Sequence, residues 1–153
     1  QRSPRGKSAP SESVDYILVS EEQIAGRHCT KWPGGGLEFG EGPMECARRE
    51  AQEELGQDIA LGPLVHATGS FVRSAWRPQE QVLCHYYLAR LCGPQEFETT
   101  EGAVDWNAGH EQRFRWSPVK GFNPEQLTFS TDRAAWNALL TGPFLSEWDP
   151  GHH

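Results

Sequence analysis

The sequence predicts one mixed α/β domain of the α+β kind, and three observations carry that prediction. Runs rich in β-branched and aromatic residues, such as Asp15–Glu21 (DYILVSE) and Gln81–Leu91 (QVLCHYYLARL), have the character of strands. Between them, Pro43 and Gly56 bracket a stretch in the way residues bracket a helix. The chain has 153 residues, 37% of them hydrophobic and six of them Trp, which is enough for one packed core. No internal repeat or linker divides it.

In chain order, residues 1–14 (QRSPRGKSAPSESV) are polar, Ser/Pro-rich and aperiodic, and read as a flexible tail or long loop. The single domain then spans 15–150. Its first strand is Asp15–Glu21. A Gly-rich turn, PGGGLEFGEG, covers Pro33 to Gly42, and a helix runs from Pro43 to Leu55. Leu64–Val72 and Gln81–Leu91 follow as strands, then Gln112–Trp116. Leu127–Leu140 places Leu127, Ala134, Ala135 and Leu139 at helical spacing, with Ser130 to Asp132 as candidate caps. Residues 151–153 are a tail, and His152 and His153 read as the remnant of a purification tag.

Composition excludes several classes of protein. No apolar run approaches the roughly 20 residues needed to cross a bilayer, so no membrane partner is expected. The charge of −7, from 21 acidic and 14 basic residues, disfavours nucleic-acid binding along a phosphate backbone. A small anionic substrate stays open if metal ions neutralise it. Cys29, Cys46, Cys84 and Cys92 show no CxxC spacing and fit free thiols in a reducing, cytoplasmic compartment.

The chemistry concentrates in GGLEFGEGPMECARREAQEELGQ, from Gly35 to Gln57. At 100° per residue, Glu50, Glu53 and Glu54 fall within about 100° of one another on the helix. Met44, Ala47, Ala51 and Leu55 share a neighbouring face that can pack on a sheet. Crowded carboxylates destabilise a helix by a few tenths of a kcal/mol per pair, and a hard cation such as Mg²⁺ or Mn²⁺ removes that repulsion. Arg49, four residues before Glu53, can hold that carboxylate by a forked hydrogen bond. Gly34, Gly35 and Gly36 let the backbone approach a metal or a phosphate closely.

These residues resemble the Nudix box: Gly, five of any kind, Glu, seven of any kind, then Arg-Glu-aliphatic-any-Glu-Glu-any-Gly-aliphatic. Gly35, Glu41, Arg49, Glu50, Glu53, Glu54 and Gly56 all match. The chance of that is on the order of 10⁻⁹ to 10⁻⁸ per starting position. Ala51 and Gln57 depart from the pattern at packing positions.

The resemblance implies a Nudix fold, a mixed β-sheet sandwiched between α-helices. It also implies Mg²⁺- or Mn²⁺-assisted hydrolysis of a nucleoside diphosphate linked to X. Glu50, Glu53 and Glu54 would be metal ligands together with a backbone carbonyl of Gly34 or Gly35. Glu41 would support the site from further out. Members often carry an acidic residue just before the strand ending in Trp, which here is Glu111, with His110 as a rival base. The family normally has a strand before the one at Asp15, expected either upstream of Gln1 or in an altered order. Dimerisation is common among members, so a homodimer is open to this chain.

Arg73, Trp76 and Arg77 (SFVRSAWRP) could clamp phosphate and stack a base. The plainer reading, a packing Trp with solvated arginines, stands slightly ahead of it. Trp32 and Phe129 read as core before pocket. Nucleoside triphosphates, nucleotide sugars and ADP-ribose all remain open as substrates. The proline about sixteen residues after the box, associated with ADP-ribose enzymes, is missing, and position 73 is Arg. Other readings are a nucleotide-sensing or regulatory module, a decapping enzyme, or an enzyme removing oxidised nucleoside triphosphates.

Overall fold

A computed structural model describes residues 15–101 and 111–147. The elements in order are β1 (Tyr16–Ile24), β2 (Arg27–Lys31), α1 (Pro43–Leu55), β3 (Ile59–Ala67), β4 (His85–Leu91), β5 (Gln112–Pro118), a 3₁₀ turn at Pro124–Gln126, α2 (Ser130–Thr141) and a short α3 (Phe144–Glu147). The predicted α+β class stands. The strands form two sheets, β2-β1-β5 and β3-β4, and every pair among the described residues is antiparallel.

Local signals place α1 where the sequence predicts it. Pro43 occupies the first turn, where a missing N–H costs nothing, and Glu45 accepts a hydrogen bond from the Gly42 N–H at 2.6 Å. Gly56 ends the helix at φ 66°, in the left-handed region, with its N–H on the Gln52 carbonyl at 3.0 Å.

The strands shift from their predicted bounds. β3 begins at Ile59 rather than Leu64, because the chain enters the sheet soon after the Gly56 cap, and it ends at Ala67, short of Val72. Pro63 sits where the register with β4 shifts, between Leu61 and Leu64, which is where a strand tolerates a missing donor. β4 starts at His85, and Gln81 makes only an isolated bridge to Arg73. Helix α2 starts at Ser130, three residues later than predicted. Leu127–Phe129 run extended beside β2 instead, where Thr128 N–H donates to the Thr30 carbonyl at 2.9 Å and Thr128 Oγ1 accepts from Thr30 N–H at 2.8 Å.

Strand β2 is absent from the sequence reading, since RHCTK carries little apolar character. A two-residue turn at Ala25 and Gly26, both with positive φ, folds it back on β1. The strand that the family resemblance puts before β1, the tail 1–14, His110 and the tail 151–153 lie outside the described residues.

The core gathers Leu88, Leu127, Trp136 and Leu139, with Trp32 and Phe122 packed on it. The Phe122 and Trp136 rings lie 4.6 Å apart and the Trp32 and Trp136 rings 5.8 Å apart, so Trp32 is a core residue as expected. Residues of both sheets, α1 and α2 line a largely apolar cavity of about 680 Å³, and Gly35, Glu50 and Glu54 are among them. Cys29 and Cys46 are buried, Cys84 half-buried and Cys92 exposed, and all four are free thiols.

Candidate active site

The site forms where the Gly-rich loop crosses the first two turns of α1. Arg49 organises it. Its Nε and Nη2 donate to the two oxygens of Glu41 at 2.9 and 2.7 Å, and Nη2 also donates to the Gly36 carbonyl at 2.8 Å. Its Nη1 donates to Glu50 at 3.2 Å and to Glu53 at 3.1 Å. The predicted fork on Glu53 is therefore a fork on Glu41, because the loop brings Glu41 alongside the guanidinium while Glu53 meets only one nitrogen. This grip holds the Glu41 carboxyl down at about 2 and raises the pKa of Arg49.

Glu50 and Glu54 come together. Glu50 lies beneath the loop, and a Cβ built on Gly35 would land on its carboxylate. Glycine at position 35 is thus a steric requirement of the site. Gly34, at φ +153°, takes a backbone conformation that L side chains rarely adopt. Burial, followed by the hydrogen bond with Glu50, raises the Glu54 carboxyl well above the ordinary carboxylate range. Glu53 is 57% exposed at its side chain and turned to Arg49. Among the described residues, no three His, Cys, Asp or Glu side chains converge on one point. Two all-oxygen carboxylates pressed together beside glycine backbone are nonetheless a donor set suited to a hard divalent cation.

Further groups join from the three-stranded sheet, and sequence reasoning missed them. Gln112 Nε2 donates to Ser20 Oγ at 3.0 Å, to Glu54 at 3.3 Å and to Glu22 at 3.4 Å. Lys31, at the end of β2, donates to the Gly34 carbonyl at 3.2 Å and lies 3.7 Å from Glu22. The alternation Ser20, Glu22 on β1 hinted at a polar face, but its partners on β2 and β5 depend on strand register. Glu111, the predicted acidic residue, is exposed just before β5, and its backbone carbonyl accepts from Gln23 N–H at 2.8 Å. Its neighbour Gln112 is the residue at this end of β5 that reaches Glu54.

Beyond Lys31, Asp132 in the first turn of α2 is buried and accepts from the Tyr86 hydroxyl at 2.6 Å. Its second carboxylate oxygen has no partner among the described residues, and burial raises its pKa. Trp32 Nε1 donates to the Asp132 carbonyl at 3.0 Å, tying the start of α2 to the segment that leads into the Gly-rich loop.

Arg73, Trp76 and Arg77 make contacts with residues other than the helix carboxylates. Arg73 bonds the Pro78 carbonyl and lies over the Phe71 ring, while Arg77 pairs with Glu80 at 3.4 Å, so both arginines are engaged within their own loop. Trp76 lies under the Arg27 guanidinium at 5.1 Å and meets Phe129 edge-on at 6.3 Å.

The departures from the box pattern also have structural meaning. Gln57 is buried, donates to the carbonyls of Cys92 and Pro94 at 3.1 and 2.9 Å, and accepts from Glu96 N–H at 3.0 Å. A polar side chain at this otherwise aliphatic position pins the turn that follows β4.

A glycine loop laid over a helix with paired carboxylates, backed by a short antiparallel sheet, defines the class of protein. Residues 10–137 match the family model described as NUDIX domain, and the chain belongs to the Nudix family. Members of this family are typically pyrophosphohydrolases that use divalent metals and act on small nucleotides. No curated protein matches the chain. Among solved structures it is similar to a chain from a study of MutT from the cold-adapted fish pathogen Aliivibrio salmonicida and the mesophile Vibrio cholerae. That match has 14% identity and a TM-score of 0.48, covering 84% of this chain and 89% of the other. No helix among the described residues is long and apolar enough to cross a membrane.

Proposed function

We propose that this chain hydrolyses the diphosphate bond of a nucleoside diphosphate linked to X, with Mg²⁺ or Mn²⁺ as cofactor. Glu50, Glu53 and Glu54 would hold the cation together with a backbone carbonyl of Gly34 or Gly35. The observation that carries the reading is the Glu50–Glu54 pair, joined by a hydrogen bond, with the Glu50 carboxylate lying against Gly35. A bound divalent cation would neutralise the diphosphate and make water a better nucleophile.

The protein's own residues do the rest. Glu41 and Arg49 fix the orientation of Glu50 and Glu53, and Gln112 fixes Glu54. Glu50 is the stronger candidate for accepting the proton of the attacking water, since it lies against the loop whereas Glu111 is exposed. The test is phosphate release, coupled to pyrophosphatase or phosphatase, across nucleoside triphosphates, nucleotide sugars and ADP-ribose. Wild type is compared with Glu53→Gln and Glu54→Gln in Mg²⁺ and in Mn²⁺. Metal-dependent turnover lost in the variants supports the reading. Binding of nucleotide without turnover of any compound would overturn it in favour of a nucleotide-sensing module.

A further inference from the structure

Among the described residues, the cation that touches the helix carboxylates directly, Arg49, is already committed. Arg49 spends its donors on Glu41, Glu50, Glu53 and Gly36. Arg115 serves Glu21. That carboxylate lies on the opposite face of the sheet from Ser20 and Glu22 by strand alternation. Arg27 is stacked on Trp76, and Arg73 and Arg77 are held in their own loop. A diphosphate approaching Glu50 and Glu54 brings negative charge to a pair of carboxylates, so a cation facing it would favour its binding.

We propose that Lys31 binds the phosphate chain of the substrate, from the junction between β2 and the Gly-rich loop. The inference rests on the proposed hydrolase reading for what carries that phosphate chain. Lys31 is paired in register with Ser20, so its side chain leaves the sheet on the face shared with Glu22 and Gln112. That is the face from which Gln112 reaches Glu54.

The ammonium has three donors and, among the described residues, two polar neighbours. One is the Gly34 carbonyl at 3.2 Å, and the other is Glu22 at 3.7 Å, beyond hydrogen-bond length. The side chain is only 17% exposed, so water compensates it poorly. A phosphate oxygen would supply the acceptor that Glu22 only approaches. Lys31 is also near enough to act electrostatically on both Glu54 and Asp132.

The rival reading is that Lys31 only neutralises Glu22 and braces Gly34. The two separate by titrating the full-length protein, in Mg²⁺, with an ADP analogue whose α and β phosphorus atoms are joined by methylene. Lys31→Met should weaken binding of this analogue roughly tenfold to a hundredfold, and Lys31→Arg should restore most of it. Wild-type affinity should fall more steeply with salt than that of Lys31→Met. For a substrate that turns over, Lys31→Met should raise KM far more than it lowers kcat.

Equal affinity of Lys31→Met and wild type for the analogue would overturn the proposal, as would no binding by wild type at all. Should Lys31→Met fail to fold, Glu22→Gln gives the reading from the other side. Releasing Lys31 from its acidic neighbour should tighten the analogue severalfold, and unchanged affinity would overturn the proposal. If wild type binds the analogue through Lys31 yet hydrolyses nothing, the hydrolase reading fails and this one stands.

Discussion

Arg49 holds Glu41 at two points, through Nε at 2.9 Å and Nη2 at 2.7 Å, while its remaining nitrogen reaches Glu50 and Glu53. One guanidinium thus ties the loop glutamate to two glutamates of the helix. The planar fork is what permits this, and an ammonium at the same place would act as a single point charge. Arg49→Lys should therefore keep the fold and lower kcat/KM by roughly 10- to 100-fold, the usual effect of losing a partner that orients metal ligands. Steady-state kinetics beside circular dichroism would check this, and a variant as active as wild type would refute it.

The same fork makes a pH prediction. The Arg49 hydrogen bond lowers the Glu41 carboxyl from its ordinary 4.5 to about 2. A carboxyl whose folded value is depressed stabilises the protein above its unfolded value and loses that contribution as pH falls through the folded one. Stability should decline between about pH 4.5 and 2, and Glu41→Gln should show a flatter decline over that window. Acid unfolding followed by tryptophan fluorescence reads the difference.

Gly35→Ala tests the steric requirement. Its Cβ would displace the Glu50 carboxylate, the far end of a flexible side chain, so the fold should survive while the site is lost. Metal affinity by calorimetry should drop at least about tenfold with the melting temperature little changed. A large fall in melting temperature with affinity intact would contradict the geometry described here.

Gln57→Leu should be destabilising although it restores the aliphatic residue expected at that position. It removes two donated bonds and one accepted bond, leaving the Cys92 and Pro94 carbonyls and the Glu96 N–H without their partner. A cost of about 2–4 kcal/mol follows if at least two of these groups stay dry. Urea denaturation gives the value, and a neutral or stabilising result would mean that water replaces the glutamine.

Tyr86→Phe should also destabilise, by about 1–3 kcal/mol. It takes the hydroxyl from a buried Asp132 whose other oxygen has no partner among the described residues. Thermal melts at neutral pH would show it.

How much of this was legible in the sequence depends on how far apart the cooperating residues lie. Helix α1 falls at its predicted bounds because Pro43 and Gly56 act on their own backbone within a turn. The shared helical face of Glu50 and Glu54 is likewise a matter of spacing within one helix. By contrast, β2 was not read, because its five residues carry little pattern and are fixed by a turn on one side and by Thr128, nearly a hundred residues away, on the other.

The contact between Gln112 and Glu54 is of the same kind. Adjacent residues in a strand face opposite ways, and only the pairing of β5 with β1 decides which of them meets Glu54.

The sequence by itself therefore determined the α+β class, the family, the acidic helix and the glycine loop laid before it, since all of these rest on local conformation and short spacing. Tertiary structure alone decided that Arg49 forks on Glu41 while meeting Glu53 through one nitrogen, and that Lys31 and Gln112 join the carboxylates. Those outcomes depend on strand register and on how a loop lies over a helix. Such long-range packing has no fixed spacing along the chain, so no local pattern records it.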